Sequence, residues 1–155
     1  MSAGYAAQSG GFGYAASAAK TILNLVSVAN NIARLCEFSC SNDGVLPTAI
    51  PCTVDLCKST QATAGTSTST PAITQIRGET RPALCVPLAK YTAEPTVLTP
   101  IKTWYIPEFA GALTMQYPLG REPALVGVGG YAILVTMSST VATTNVRAHV
   151  EWEEG

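Results

Sequence analysis

The chain holds one histidine, His149, and a group of acidic residues beside it, and these side chains could support acid–base or metal chemistry. His149 lies on the polar side of an alternating segment, where we expect it to be solvated. One histidine cannot form an imidazole cluster, and a Ser/His/Asp triad would depend on this residue alone. Glu151, Glu153 and Glu154 are expected to form a solvated edge that discourages strand pairing. A calcium site is the alternative, but no Asp-x-Asp-Gly loop supports it.

The five cysteines do not have the spacing of a zinc or redox motif. Cys36 and Cys40 are four residues apart, Cys52 and Cys57 are five apart, and Cys85 stands alone, so no Cys-x-x-Cys pair occurs. Buried free thiols are the favoured interpretation, with a disulfide or a metal site as alternatives. We therefore predict no catalytic residues, no metal site and no cofactor, and we do not expect an enzyme.

The composition argues against two classes of partner. Charged residues make up 12% of the 155 residues, about half the usual ~25%, and the net charge is −1. The Lys and Arg residues are scattered singly, so no basic patch for nucleic acid is expected. No apolar run reaches the ~18 residues of a membrane span, and no signal peptide is evident. The low charge predicts packing against other subunits; an ordinary Thr-rich β domain is the alternative.

The elements that must position these residues are predicted to be strands. In residues 145–154, Val146, Ala148, Val150 and Trp152 alternate with polar residues, which is the period of a half-buried strand. Similar short segments recur between turn signals, and the sequence predicts about eight strands in two packed sheets. A helix at residues 15–30 is the alternative for one of them. Residues 59–82 are predicted to be a long Thr/Ser-rich loop.

The sequence thus predicts an all-β, jelly-roll-like antiparallel sandwich at residues 20–155, preceded by an arm at residues 1–19. The arm is rich in Gly, Ala and Ser and lacks the apolar density to fold alone. It is expected to be either flexible or extended over a neighbouring subunit. Its aromatic residues Tyr5, Phe12 and Tyr14, together with Trp104 and Tyr105, are the predicted subunit or capsid interface.

The order of segments along the chain resembles the jelly-roll decoration, or cement, proteins of tailed bacteriophage capsids. The likeness covers roughly residues 15–154. It runs from LNLVSVANNIARLCEFSCSNDG and VDLCKSTQATAGTSTSTP through EPT at 94–96 and WYIP at 104–107 to YPLGREP at 117–123 and VEWEE at 150–154. The N-terminal arm and the number of cysteines have no match in that family.

The resemblance implies a structural virion protein. It implies a homotrimeric β-sandwich on the outer surface of the capsid, made in the host cytoplasm, that binds the major capsid protein and bridges capsomers. The alternative is a receptor- or carbohydrate-binding jelly-roll module of a virion fibre, which exposed aromatics such as Trp104 and Tyr105 would favour.

Overall fold

The computed structural model describes residues 2–14, 19–43, 51–61, 63–137 and 144–155. Within these ranges the chain forms strands, turns and loops and contains no helix. The strands are β1 (Ala3–Gln8), β2 (Phe12–Tyr14), β3 (Ala19–Ser27), β4 (Ile32–Asn42), β5 (Cys52–Ser59), β6 (Thr66–Ser69), β7 (Ile73–Gly78), β8 (Val86–Ala93), β9 (Leu98–Ile106), β10 (Ala112–Gln116), β11 (Ala124–Val126), β12 (Gly129–Thr136) and β13 (Thr144–Glu154). The predicted all-β sandwich is confirmed, and the alternative helix at 15–30 is replaced by β3, with residues 15–18 lying outside the described ranges.

Eight of the strands follow the jelly-roll order. In chain order they are β1, β3, β4, β5, β9, β10, β12 and β13. In one sheet the order is β1-β13-β4-β10, which are the first, eighth, third and sixth of these strands. In the other sheet the order is β3-β12-β5-β9, which are the second, seventh, fourth and fifth. All pairings are antiparallel. This alternation between two facing sheets is the double Greek key of a jelly roll.

The other strands extend this framework at its margins. β6 and β8 widen the second sheet beyond β3, β7 pairs with β1, and β2 and β11 are short additions that pair with β13 and β4. The long loop predicted at residues 59–82 is therefore wrong in part, because it contains β6 and β7. These two segments lack the alternation of apolar and polar residues that predicts a strand. Both are edge strands that are held by backbone hydrogen bonds and bury no apolar face.

The N-terminal segment is built into the first sheet of its own chain. β1 lies between β13 and β7 and pairs with both, so residues 3–8 are an interior strand of the sandwich, whereas the sequence predicted an arm outside it. Ala3, Tyr5 and Ala7 face the core and are buried. The small side chains of this strand are enough to hold it in the sheet, because its backbone forms hydrogen bonds with a neighbouring strand on each edge.

The core between the sheets is centred on aromatic side chains. Trp152 is 0% exposed, and its ring centroid lies 5.6 Å from that of Tyr5, its register partner on β1. Phe38 of β4 contacts Trp104 of β9 from the other sheet, with centroids 5.4 Å apart in an edge-on arrangement. The prediction that Trp152 lies in the core is confirmed.

A β-bulge at Cys36 changes which residues of β4 face the core. Glu151 pairs with Glu37 while Trp152 pairs with Leu35, so Cys36 is the extra residue. Leu35 before the bulge is buried, and burial resumes at Phe38 after it. Alternation along residues 32–41 of the sequence predicts that Ile32, Cys36, Phe38 and Cys40 face the core, and this is correct only for Phe38 and Cys40. Ile32 is exposed and Cys36 is half-buried.

Glu154 is buried, which corrects the prediction of a solvated acidic edge. Its carboxylate accepts hydrogen bonds from the backbone N–H groups of Leu84 and Cys85, both at 2.8 Å, and from Trp152 Nε1 at 2.9 Å. Arg81 also donates to the Glu154 backbone carbonyl. A buried carboxylate is tolerated when hydrogen-bond donors surround it. Glu154 therefore ties the last strand to residues 81–85, whereas Glu151 and Glu153 are half-exposed.

All five cysteines are free thiols in the structure, as the sequence favoured. Cys40, Cys52, Cys57 and Cys85 are at most 1% exposed, and burial is the main cause that raises the pKa of Cys40, Cys57 and Cys85 to about 12. A thiol with so high a pKa carries almost no thiolate at neutral pH and reacts slowly. Cys36 differs in accessibility, because it is half-buried at the bulge, and burial is also the largest cause that raises its pKa.

We expect native protein to react with one equivalent of a thiol reagent at Cys36 faster than with the other four thiols, because Cys36 is the most accessible of the five. Denatured protein should react with five equivalents without prior reduction. The measurement is a time course of reagent uptake on wild type and on Cys36→Ser, which should lack the fast phase. A fast phase that persists in Cys36→Ser would contradict the assignment.

Candidate functional site

The structure does not bring the five predicted interface residues together. Tyr5 and Phe12 belong to the first sheet, whereas Trp104 and Tyr105 lie on β9 at the edge of the second. Tyr5 is 1% exposed and its hydroxyl donates to the Arg81 carbonyl oxygen at 3.0 Å, so it contacts its own core and cannot dock on a neighbour. This corrects its predicted role.

The other aromatic candidates differ in accessibility. Phe12 is half-buried and packs against the core, and the side chain of Tyr14 lies outside the described part of the chain. Trp104 is half-buried against Phe38, with the Lys102 ammonium 5.3 Å from its ring centroid. Tyr105 is 73% exposed. Successive residues of a strand point to opposite faces, which is why Trp104 faces the core while Tyr105 faces solvent.

β9 itself is an open sheet edge. Among the described strands it pairs only with β5, and most of its residues from Thr99 to Tyr105 are exposed. Ile101 and Tyr105 are large apolar side chains on this strand that remain accessible. A long strand with unpaired backbone groups can pair with another chain, so β9 is one candidate contact surface.

A second candidate contact surface lies at one end of the sandwich, and the sequence did not predict it. We call it the apolar end surface; its members are exposed aliphatic residues: Val28, Ile32, Leu84, Val86, Val126 and Val128. The proximity of five of them follows from register, and Leu84 lies two residues before Val86. Val126 pairs directly with Ile32, and Val86 pairs with Val26, two residues before Val28. Gly129 pairs with Ser27, which places Val128 beside Val28.

The exposure of the apolar end surface is high for aliphatic side chains. Val126 is 76% exposed and Val128 is 62% exposed, and both flank the turn at Gly127, whose N–H donates to the Asn31 carbonyl at 2.9 Å. Turn residues are usually polar, so the Val-Gly-Val sequence at this turn could have indicated an exposed apolar surface. Exposed apolar side chains gathered on one surface are typical of a contact with another molecule, which makes this end a candidate contact surface.

The outer face of the first sheet carries a third feature, a small polar cluster. Ligand atoms of Glu37, His149 and Glu151 lie within 4.8 Å of one another, and all three residues are half-buried. Sequence reasoning missed this cluster because Glu37 is more than a hundred residues from the other two and reaches them only through the pairing of β4 with β13.

No helix in the described residues is long and apolar enough to cross a membrane. Comparisons with protein-family models, with curated proteins and with solved structures find no match for this chain.

Proposed function

We propose that this chain is a structural virion protein, a decoration or cement protein that sits on the outside of a bacteriophage capsid and bridges capsomers. The observation that carries the proposal is a jelly-roll strand order combined with an exposed apolar end surface. The resemblance of the sequence to phage decoration proteins points the same way. The partners are the major capsid protein and further copies of this chain as a homotrimer.

The physical properties of the surface suit this role. A bridging protein contributes through contact area repeated over many copies. Neutral and apolar side chains are cheaper to remove from water than charged ones. Charged residues are only 12% of the sequence, and the end surface offers aliphatic side chains from both sheets. Closed three-fold symmetry would match local three-fold positions of an icosahedral lattice.

The alternative, a receptor- or carbohydrate-binding fibre module, has weaker support. Sugar-binding grooves commonly use several exposed aromatic side chains. Of the two candidates on β9, Tyr105 is exposed and Trp104 packs against Phe38. A platform of two neighbouring aromatic rings is therefore not formed at that edge.

We expect the purified chain to form a trimer, alone or on the capsid, through the apolar end surface. Light scattering should give about three times 16.1 kDa, or else the chain should bind undecorated capsids as trimers. The double variant Val126→Asp/Val128→Asp should weaken trimerisation or capsid attachment at least about 100-fold, because it removes two exposed valines that the contact would bury and places two charges there.

Val97→Asp is the matched control, since Val97 is 57% exposed and lies away from the end surface, on the connection between β8 and β9. It should assemble like wild type. A chain that stays monomeric at micromolar concentration and does not attach to capsids would overturn the proposed function. Equal assembly of both variants would instead remove the end surface from the contact.

A further inference from the structure

We propose that Glu37, His149 and Glu151 form a binding site for a divalent transition-metal ion of the zinc class on the outer face of the first sheet. Their ligand atoms lie within 4.8 Å of one another, and His149 Nε2 is 3.9 Å from Glu151 Oε1. Donor atoms around a tetrahedral zinc ion with bonds of about 2.0–2.1 Å are roughly 3.4 Å apart. Small side-chain rotations would bring the three groups to that spacing.

The backbone register fixes this arrangement. Glu151 pairs directly with Glu37 across β13 and β4, and His149 lies two residues before Glu151, so all three side chains project from the same face. β-Strands are rigid supports, and a site built on them holds its donors more precisely than one built on loops.

The charge distribution independently points to a cation. Like charges directly opposite each other on neighbouring strands are destabilising, and the two glutamates occupy such a pair. Among the described residues no lysine or arginine nitrogen lies within 4.0 Å of either carboxylate. The nearby Arg77 instead contacts Glu153, with Nη2 2.9 Å from Oε1. A bound cation would neutralise the opposed pair.

A neighbouring residue positions one of the carboxylates. Gln116 Nε2 donates to Glu37 Oε2 at 2.5 Å, leaving the other oxygen of Glu37 for a metal. Hydrogen bonds of this kind orient metal ligands and tune their affinity. On the other side, the cluster borders a shallow groove of ≈ 490 Å³ whose lining includes Ala6, Thr74, His149 and Glu151. Because the groove is open to solvent, water can reach the cluster from this side.

The ligand types select the class of ion. One imidazole nitrogen with two carboxylate oxygens suits zinc and similar transition ions. Calcium and magnesium prefer oxygen ligands alone and more of them than this cluster provides. The site is independent of the proposed virion function, and its test does not depend on assembly.

The experiment follows the imidazole signals of tag-free, full-length protein by NMR while Zn²⁺ is added. His149 is the one histidine of the sequence, so its signals need no assignment. We expect them to shift with saturation at one ion per chain, and calorimetry should give the same stoichiometry. Glu37→Gln and Glu151→Gln should each weaken binding at least about 100-fold, and Gln116→Ala about 10–100-fold.

Glu79→Gln is the matched control, because Glu79 is an exposed glutamate outside the cluster, and it should bind like wild type. His149→Gln should abolish the calorimetric signal, which distinguishes this site from ions held by the cysteines. Unchanged imidazole signals at saturating Zn²⁺ would overturn the proposal. Equal binding by the Glu37→Gln and Glu79→Gln variants would overturn it as well.

Discussion

A chain that lacks residues 2–8 should fail to form the native sandwich. The deletion removes β1, which pairs with β13 on one edge and β7 on the other. Among the described strands β7 has no other partner, so residues 73–78 would also detach. The core would lose Tyr5, Ala3 and Ala7, and the edge of β13 would open to aggregation. We expect the truncated protein to be insoluble, or soluble without a cooperative thermal transition by circular dichroism.

Tyr5→Phe is the control that keeps the ring and removes only the hydroxyl bond to the Arg81 carbonyl. It should fold and lose about 0.5–1.5 kcal/mol of unfolding free energy. Tyr5→Ala should lose about 3–5 kcal/mol, since it also vacates space against Trp152. A truncated protein with the melting temperature of wild type would show that residues 2–8 are a separate arm after all.

The fold class was predictable because period-two alternation is strong in the strands that face one core. Alternation along residues 131–137 predicts that Tyr131, Ile133, Val135 and Met137 share one inward face, and all four are buried. β1 was not predicted as a strand because its sequence, AGYAAQ, has a single large apolar residue. Composition indicates whether a segment can fold alone, and it does not indicate whether the rest of the chain will enclose it on both edges.

Register irregularities limited the assignment of faces. The bulge at Cys36 shifts the inward face of β4 by one residue, and no turn residue or glycine in the sequence marks it. Glu154, in contrast, could have been placed correctly. It follows Trp152 by two residues, so the alternation that buries the tryptophan also directs Glu154 inward. Because Glu154 is acidic, we expected its side chain to be solvated. The N–H groups that stabilise its buried carboxylate come from residues 84 and 85, which are far away in the sequence.

The candidate sites were the least predictable part of the molecule. The apolar end surface combines turn and strand-end residues from three separate regions of the sequence, and the Glu37–His149–Glu151 cluster joins two strands far apart in the chain. Both depend on pairing that a single sequence does not specify. Tyr105 was the predicted interface residue with the clearest exposure, because it lies next to a core-facing tryptophan on an edge strand.

Trp152→Ala should be the most damaging single substitution in the core. The indole is 0% exposed, stacks near Tyr5 and donates to Glu154, so its removal leaves a cavity and deprives the buried carboxylate of one donor. Truncation of a buried tryptophan costs about 3–5 kcal/mol. Since small domains have about 5–15 kcal/mol in total, the variant should be partly or fully unfolded at 37 °C.

Denaturant unfolding monitored by circular dichroism measures this loss, and two variants make the result specific. Trp152→Phe keeps an aromatic ring and should fold with a smaller loss, which keeps the comparison measurable if Trp152→Ala cannot be purified. His149→Ala, three residues earlier on the half-exposed face of the same strand, should change stability by no more than about 0.5 kcal/mol in metal-free buffer. Small and equal losses for Trp152→Ala and His149→Ala would mean that the inward face of β13 is assigned to the wrong residues. Because Trp152 and Glu154 share that face, such a result would also contradict the burial of Glu154 and its hydrogen bonds to the backbone of residues 84 and 85.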